Sequence, residues 1–227
     1  MLILLRHGQT TSNVDRKLDT LVPGAPLTPL GEEQAVAAGQ AILEDYQVER
    51  VFSSEALRAR QTAAIAFSSL VSDIPALPGL QEIHAGRWEM HNSWAAHEAY
   101  LNAFRGFYRR DPAATVEDGD SLDTFLTRYR AGVLSALDPA LGSAGPAGPA
   151  GSAGPAGPAG STVVVSHGGA IRAFTANACQ VDPVFAEQSY LPNCEYVVLN
   201  PGDDPAATFG DWEVVRWGAY DLAGLRG

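Results

Sequence analysis

The chain has 227 residues, of which 46% are hydrophobic and 18% are charged. This composition is typical of a globular protein, and a chain of this length can bury a core without a metal or a disulfide to stabilise it. Fifteen Lys and Arg residues against 26 Asp and Glu residues give a formal net charge of -11. Binding to nucleic acid or to an anionic membrane surface needs a basic footprint. The charge therefore argues against both classes of partner, although an acidic protein can still hold a small basic pocket.

The chain contains two cysteines, Cys179 and Cys194, and neither lies in a CxxC pair or beside a cluster of histidines. We expect no zinc site and favour two buried free thiols, with a single bridge between them left open. The apolar run Met1–Leu5 is too short for a signal peptide, and no run approaches the ~20 apolar residues that span a bilayer. The sequence therefore predicts a cytoplasmic protein.

The first half of the chain alternates between apolar runs and helix signals. Residues Leu2–Leu5 are typical of a buried strand, and Thr28-Pro29 predicts a helix with Thr as its N-cap and Pro in its first turn. A second buried strand is predicted at Val51–Ser53, and Ser54 is expected to cap the helix that follows. A third strand is expected around Ile74–Leu77.

The second half continues the alternation. Asp120-Ser121 predicts the start of a helix, and Thr162–Ser166 predicts a fourth buried strand that leads through Gly168-Gly169 into another helix. Later strands are expected at residues 196–199 and 213–217. Strands that alternate with helices predict a layered α/β fold with a mostly parallel sheet. In such sheets, ligands bind beyond the carboxyl ends of the strands.

Residues Gly142–Gly160 differ from the rest of the chain, because glycine recurs at every third position with Pro-Ala or Ser-Ala between. The period imitates collagen, but six triplets are very few for a triple helix. No side chain in this stretch is larger than proline, so it cannot supply a core. We interpret it as a disordered or polyproline-like surface loop inserted in a folded domain.

Four of the predicted strands are followed by residues whose side chains can take part in catalysis or bind an anion. Arg6-His7-Gly8 follows the first strand, Arg58 lies in the first turn of the helix after the second, Glu82 follows the third, and His167 follows the fourth. Taken singly, each has an ordinary explanation as a surface turn or a solvated side chain. Because the carboxyl ends of parallel strands share one edge of a sheet, we expect all of them to meet there.

This group of residues suits the transfer of a phosphoryl group. Guanidinium groups bind phosphoryl oxygens through two parallel hydrogen bonds, and a neutral imidazole is a competent nucleophile. The two arginines would favour the neutral form of His7, because they disfavour a further positive charge beside them. Glu82 could donate a proton to the leaving oxygen and later accept one from water.

Five segments carry a resemblance to a known family. Residues 5–10 are LRHGQT, followed by Asn13; residues 27–35 are LTPLGEEQA; and residues 53–63 are SSEALRARQTA. Residues 80–82 are LQE, with Gly86 and Glu89 beyond, and residues 165–169 are VSHGG. In this order the segments resemble the motifs of the histidine phosphatase superfamily, also called the phosphoglycerate mutase-like family, over residues 2 to about 175.

The resemblance implies a three-layer α/β/α sandwich, a single domain over residues 1–227, and chemistry that uses neither a metal nor another cofactor. His7 would be the nucleophile that becomes phosphohistidine, and Glu82 would be the proton donor. The implied phosphoryl-binding residues are Arg6, Arg58 and His167, with Asn13 as an additional contact. Met90 departs from the family pattern, which has glycine after the acidic residue, and Asp120 stands where glutamate is more usual.

Residues 84–118, a long irregular insertion rich in aromatic residues and arginine, are expected to form a lid over the substrate. The mutases of the family have a double arginine followed by a distinct segment, whereas here Arg109-Arg110 is followed by Asp111-Pro112. We therefore favour a phosphoric monoester hydrolase of the histidine acid type, acting on a small phosphorylated metabolite. Sugar phosphates, phosphoglycerate derivatives and nucleotides stay open as substrates. Mutase-type phosphoryl transfer and a non-catalytic phospholigand-binding module are the alternatives, and the sequence gives no oligomeric state.

Overall fold

The computed structural model describes residues 1–141 and 160–226. Its strands are β1 (Leu2–Arg6), β2 (Val48–Ser54), β3 (Ala76–Leu77), β4 (Ser161–Ser166), β5 (Tyr196–Asn200) and β6 (Glu213–Trp217). They form a sheet in the order β3-β2-β4-β1-β5-β6, in which β1 to β4 are parallel and β5 and β6 are antiparallel additions at one side. The predicted α/β class with a mostly parallel sheet is confirmed. The glycine-rich segment at 142–160 lies, except for Gly160, outside the described residues.

Helices cover both faces of this sheet, because successive side chains of each strand point to opposite sides. The helices are α1 (Thr11–Val14), α2 (Pro29–Asp45), α3 (Leu57–Ala66), α4 (Trp94–Tyr108), α5 (Leu122–Leu137), α6 (Gly168–Ala178) and α7 (Pro183–Gln188). Ile3 and Leu5 pack with α2 and α3 on one face, whereas Leu2 and Leu4 pack with α4, α5 and α6 on the other. The three-layer α/β/α arrangement follows from this alternation. None of the described helices has the length and apolar character needed to cross a bilayer.

The predicted helix starts are confirmed in three cases and wrong in one. Thr28 caps α2 by accepting a hydrogen bond from the Gly31 N–H, Ser121 caps α5, and α6 begins at Gly168. Ser54, in contrast, remains the last residue of β2, and α3 begins at Leu57 without a side-chain cap. The Ser54 hydroxyl lies 2.9 Å from Nε2 of the His167 ring, so it contacts the candidate site.

The insertion at 84–118 is not irregular, as the sequence suggested, but contains the 15-residue helix α4, capped by Ser93. Its aromatic residues recur at helical spacing, and Tyr100, Phe104, Phe107 and Tyr108 are buried in the core. Trp94, in the first turn of α4, is 81% exposed. Burial of one face accounts for the helix, since most helical stability comes from packing of an apolar face.

Candidate active site

The structure brings together the residues that follow the parallel strands. Arg6 ends β1 and His7 comes directly after it, while Arg58 lies in the first turn of α3 and His167 precedes α6. The ring centroids of His7 and His167 are 5.2 Å apart, and Nε of Arg58 lies 3.2 Å from Nδ1 of His167. His7, Arg58 and His167 are all buried. The predicted meeting of these side chains at one sheet edge is therefore observed.

The hydrogen bonds of His7 identify its tautomer. Its Nδ1 lies 2.7 Å from the carbonyl oxygen of Gly8. A carbonyl oxygen only accepts, so Nδ1 carries the proton and Nε2 keeps its lone pair. Burial, followed by the charges of Arg58 and Arg6, holds the pKa of His7 well below its ordinary value of 6.5. The ring is thus neutral at neutral pH, with Nε2 as the atom available for nucleophilic attack.

His167 is neutral as well, but it is the other tautomer. Arg58 can only donate, so Nδ1 of His167 accepts the Arg58 N–H, and Nε2–H donates to Ser54 Oγ. Burial and the charge of Arg58 hold the pKa of His167 well below 6.5. Both ring nitrogens already have partners. Direct binding of a phosphoryl oxygen by His167 would therefore require Nε2–H to exchange Ser54 for that oxygen.

The two arginines present unpaired N–H groups inside the protein. Nη1 of Arg6 donates to the Tyr190 hydroxyl at 2.7 Å and to the Leu191 carbonyl at 2.6 Å, whereas Nε of Arg6 is buried without a partner among the described residues. Nη1 of Arg58 is likewise buried without a hydrogen-bond partner there, 3.8 Å from the carboxylate of Asp19. Buried donors normally find acceptors, so these two groups indicate that the site accommodates an anion.

The Glu82 carboxylate lies against the N-terminus of α6, the helix that begins directly after His167 in the chain. One carboxylate oxygen accepts hydrogen bonds from the N–H groups of Ile83 at 2.9 Å and Ala170 at 2.7 Å, and the other accepts from Gly169 at 3.0 Å. A Cβ at Gly169 would lie 2.5 Å from Phe104 and 2.9 Å from the Glu82 carboxylate, so only glycine fits there. The second oxygen, with a single N–H donor, retains room for a proton.

The Asn13 side chain is fixed by two donors on its carbonyl oxygen. The Thr10 N–H donates to Oδ1 at 3.1 Å within the capping box of α1, and Nδ2 of Asn193 donates to it at 3.2 Å. The Nδ2 group of Asn13 therefore faces away from both. Asn193 and Tyr190 were not predicted as site residues, because they lie in the loop before β5, outside the five segments that carry the family resemblance.

The loop around Thr20 lies against Arg58, and Glu89 of the resemblance motif holds it in place. Glu89 accepts hydrogen bonds from the N–H groups of Thr20 at 2.8 Å and Leu21 at 3.2 Å, and from the Thr20 hydroxyl. Met90, next to it, has a φ of +61°, in the left-handed region. Glycine adopts this region freely, whereas another residue pays about 1 kcal/mol for it. The departure at Met90 thus keeps a glycine-like backbone conformation.

A metal centre is not suggested by the geometry. Within residues 1–141 and 160–226, no three His, Cys, Asp or Glu side chains lie close enough together to hold an ion. Cys179 and Cys194 are free thiols, the first buried and the second half-buried. The expected pair of free thiols is confirmed, although Cys194 is less buried than predicted.

The lowered pKa values of His7 and His167 predict that the free energy of unfolding falls in mild acid. Below about pH 6.5 the unfolded chain binds protons at these histidines that the folded chain does not, so stability falls by up to about 1.4 kcal/mol per pH unit for each histidine. Denaturant unfolding between about pH 7 and pH 5 measures the slope. His7→Ala should lose one of the two contributions, and an unchanged slope in that variant would contradict the assignment.

Comparison with known proteins finds a matching family model, curated relatives and solved structures. A model of the histidine phosphatase superfamily (branch 1) matches residues 2–218, a range that contains all the predicted site residues. A glucosyl-3-phosphoglycerate phosphatase of Mycolicibacterium vanbaalenii is 32% identical over 180 residues, which cover 77% of this chain and 72% of that protein. The PE-PGRS family protein PE_PGRS11 of Mycobacterium tuberculosis is 44% identical over 85 residues, or 37% of this chain and 15% of that protein. A solved mycobacterial glucosyl-3-phosphoglycerate phosphatase in complex with VO3 has a TM-score of 0.70 at 25% identity, covering 96% of this chain and 98% of the other.

Proposed function

The chain belongs to the histidine phosphatase superfamily, and we propose that it is a phosphatase that hydrolyses a small phosphomonoester through a phosphohistidine on His7. One observation carries the proposal. A neutral imidazole with an unprotonated Nε2 lies beside two arginines, Arg6 and Arg58, whose buried N–H groups lack partners among the described residues. This arrangement supplies a nucleophile and the donors for phosphoryl oxygens in one place.

In the first step, Nε2 of His7 attacks phosphorus and the bond from phosphorus to the leaving oxygen breaks. The leaving oxygen takes the proton carried by Glu82, so an alcohol departs and Glu82 is left as a carboxylate. In the second step, water attacks the phosphohistidine and gives its proton to Glu82. The bond from phosphorus to nitrogen breaks, and inorganic phosphate and the starting enzyme are restored.

The remaining site residues stabilise the charge on the phosphoryl oxygens in this scheme. The guanidinium groups of Arg6 and Arg58 each offer a planar pair of N–H donors to the phosphoryl oxygens in the transition state. Both groups keep their positive charge throughout the reaction. Asn13 offers its Nδ2 group, and His167 offers Nε2–H after exchange with Ser54. The neutral form of His167 limits it to a hydrogen bond at neutral pH.

The substrate we propose is a small phosphorylated metabolite, with glucosyl-3-phosphoglycerate as the first candidate because two of the relatives are named for it. The test is release of inorganic phosphate from a panel that adds sugar phosphates, other phosphoglycerates, nucleoside monophosphates and an aryl phosphate. Turnover of at least one compound is expected. If the folded protein binds inorganic phosphate and releases none from any compound, it is a non-catalytic binding module.

We further propose that residues 84–118 serve as a lid within a single-domain protein. Phe104 of α4 packs against Gly169, next to the Glu82 carboxylate, and Tyr100 donates a hydrogen bond from its hydroxyl to the Ile83 carbonyl. α4 thus borders the region where the leaving group would sit. Because the buried face of α4 is part of the core, α4 would be the fixed part of this lid.

Hydrolysis and mutase chemistry share the phosphohistidine, so they differ in which acceptor reaches it. Water prevails where the first product leaves quickly, whereas a sugar or glycerate hydroxyl prevails where the product is retained and water excluded. Because Arg109-Arg110 is not followed by the mutase segment, we expect phosphate release to exceed the interconversion of 2- and 3-phosphoglycerate by at least ~100-fold, or about 2.7 kcal/mol in barrier. Side-by-side assays with and without 2,3-bisphosphoglycerate measure the ratio. Rapid isomerisation that depends on the bisphosphate, with little free phosphate, would make mutase the correct assignment.

A further inference from the structure

One loop outside the family motifs contacts three of the candidate site residues. Residues 190–194, called here the 190–194 loop, connect α7 to β5. The loop holds the Arg6 guanidinium through Tyr190 and Leu191, and it holds the end of β1 through the Cys194 N–H, which lies 3.2 Å from the Arg6 carbonyl oxygen. Its remaining polar side chain, Asn193, donates to the His7 carbonyl oxygen at 3.0 Å.

Tyr190 determines which edge of Arg6 is free. Both N–H groups of Nη1 are used, one on the Tyr190 hydroxyl and one on the Leu191 carbonyl. The edge that carries Nε and Nη2 is left for a ligand, and its Nε is the buried donor without a partner among the described residues. Although Tyr190 is 54% exposed, its hydroxyl is fixed by this contact. A guanidinium that is already oriented loses less entropy when it binds an anion.

Asn193 determines which way the Asn13 amide points. Its Nδ2 group donates both to the His7 carbonyl and to Oδ1 of Asn13, so it bridges the nucleophile's backbone and the side chain implied to contact phosphate. Since Oδ1 of Asn13 accepts this bond, the amide cannot flip without placing two N–H donors face to face. Nδ2 of Asn13 is thereby kept available as a donor.

The end of α7, from which the 190–194 loop continues, is anchored by two side chains. Nε1 of Trp217 donates to the Ser189 carbonyl at 3.0 Å, and Nη2 of Arg172 donates to the Glu187 carbonyl at 2.9 Å. The Arg172 guanidinium also lies 6.0 Å from the centre of the Tyr190 ring. The hydrogen bonds join the end of α7 to β6 and α6, and the Arg172 contact joins Tyr190 to α6, so the start of the loop is held by regular structure.

We propose that Tyr190 and Asn193 are positioning residues for phosphoryl binding, Tyr190 acting through Arg6 and Asn193 acting through Asn13. The ligand is a phosphoryl dianion, and the inference rests on the proposed function for that chemistry. Each residue holds one donor in the direction in which the phosphoryl oxygens require it. Their removal should weaken anion binding while leaving the fold intact.

The test is calorimetric titration of the full chain with inorganic phosphate, on Tyr190→Phe and Asn193→Ala. Each variant loses one hydrogen bond that orients a donor, so we expect its Kd for phosphate to rise about 3- to 10-fold. The matched controls are Tyr220→Phe and Asn200→Ala, whose exposed side chains make no hydrogen bond with Arg6, His7 or Asn13 among the described residues. Their Kd should stay at the wild-type value.

The titration separates positioning from damage to the fold. A purely structural role would lower the fraction of protein that binds phosphate and leave the Kd of the rest unchanged. In an Asn13→Ala background, Asn193→Ala should raise the Kd for phosphate much less than in the wild type, because the amide that Asn193 orients is already absent. Asn193→Ser serves where the alanine variant does not fold.

Two negative outcomes are distinct. If the wild-type protein binds phosphate and the folded variants bind it equally well, the positioning roles are wrong and the proposed function is unaffected. If the wild-type protein binds neither phosphate nor vanadate, the proposed function itself fails. Equal losses in the control variants would also overturn the inference.

Discussion

We expect the substitution His7→Ala to lower kcat by at least about 10⁴-fold. In the proposed mechanism Nε2 of His7 forms the covalent intermediate, and alanine removes this atom. Loss of the nucleophile in a covalent enzyme costs about 10⁶-fold. Phosphate release from a substrate found in the panel measures the effect. The variant should remain folded, because the ring's own hydrogen bond is local, to the carbonyl of Gly8.

The matched control for this prediction is His91→Ala, which removes an exposed imidazole from the segment 84–118 but no group that the proposed mechanism uses. It should keep its activity. Wild-type protein quenched in alkali during turnover should carry a phosphate that is stable in alkali and lost on later treatment with acid, and peptide mapping should locate it on His7. A label on His167, or full activity of His7→Ala, would contradict the assignment of the nucleophile.

Glu82→Gln should lower kcat on an alkyl phosphate by about 10²- to 10⁴-fold, the usual contribution of a general acid. The amide keeps the shape of the side chain but has no proton to give to the leaving oxygen. An aryl phosphate should lose much less in the first step, because its leaving group departs without full protonation. The ratio of the two losses is therefore the quantity to measure.

The ratio matters because this substitution also disturbs the fold locally. Glu82 accepts hydrogen bonds from Ile83, Gly169 and Ala170, and a glutamine would turn its NH₂ group toward one of these N–H donors. Damage of this kind at the start of α6 would slow both substrates alike. Equal losses on both, without accumulation of phosphoenzyme, would remove Glu82 from the leaving-group role.

The sheet and the site edge were predictable because they depend on local patterns. Three apolar runs with polar residues at or just beyond their carboxyl ends were enough to predict that Arg6, His7, Arg58 and His167 meet. Cap residues located the starts of α2 and α5. Ser54 was wrongly predicted to cap a helix for the same reason. Serine can cap a helix or bind a distant histidine inside the protein, and the local pattern does not distinguish the two.

The parts that escaped prediction depend on contacts across the chain. The tautomer of His167 follows from groups that only the fold brings near, namely the Arg58 donor and the Ser54 acceptor. Asn193 reaches Asn13 over a sequence separation of 180. The helix α4 was not predicted, because its length and burial depend on α6, against which it packs.

The position of β1 in the sheet also bears on how the chain reaches its folded state. The first strand pairs with β4 on one side and β5 on the other, and both are formed by residues beyond 160. During synthesis, therefore, the apolar segment Leu2–Leu5 stays unpaired until most of the chain has been made, because neither β4 nor β5 exists earlier. Such distant pairings slow folding and leave an unpaired apolar segment open to aggregation meanwhile. A ribosome-bound chain that stops short of β5 would lack the 190–194 loop's contacts on Arg6 and His7, so activity should emerge only when the C-terminal strands have left the exit tunnel.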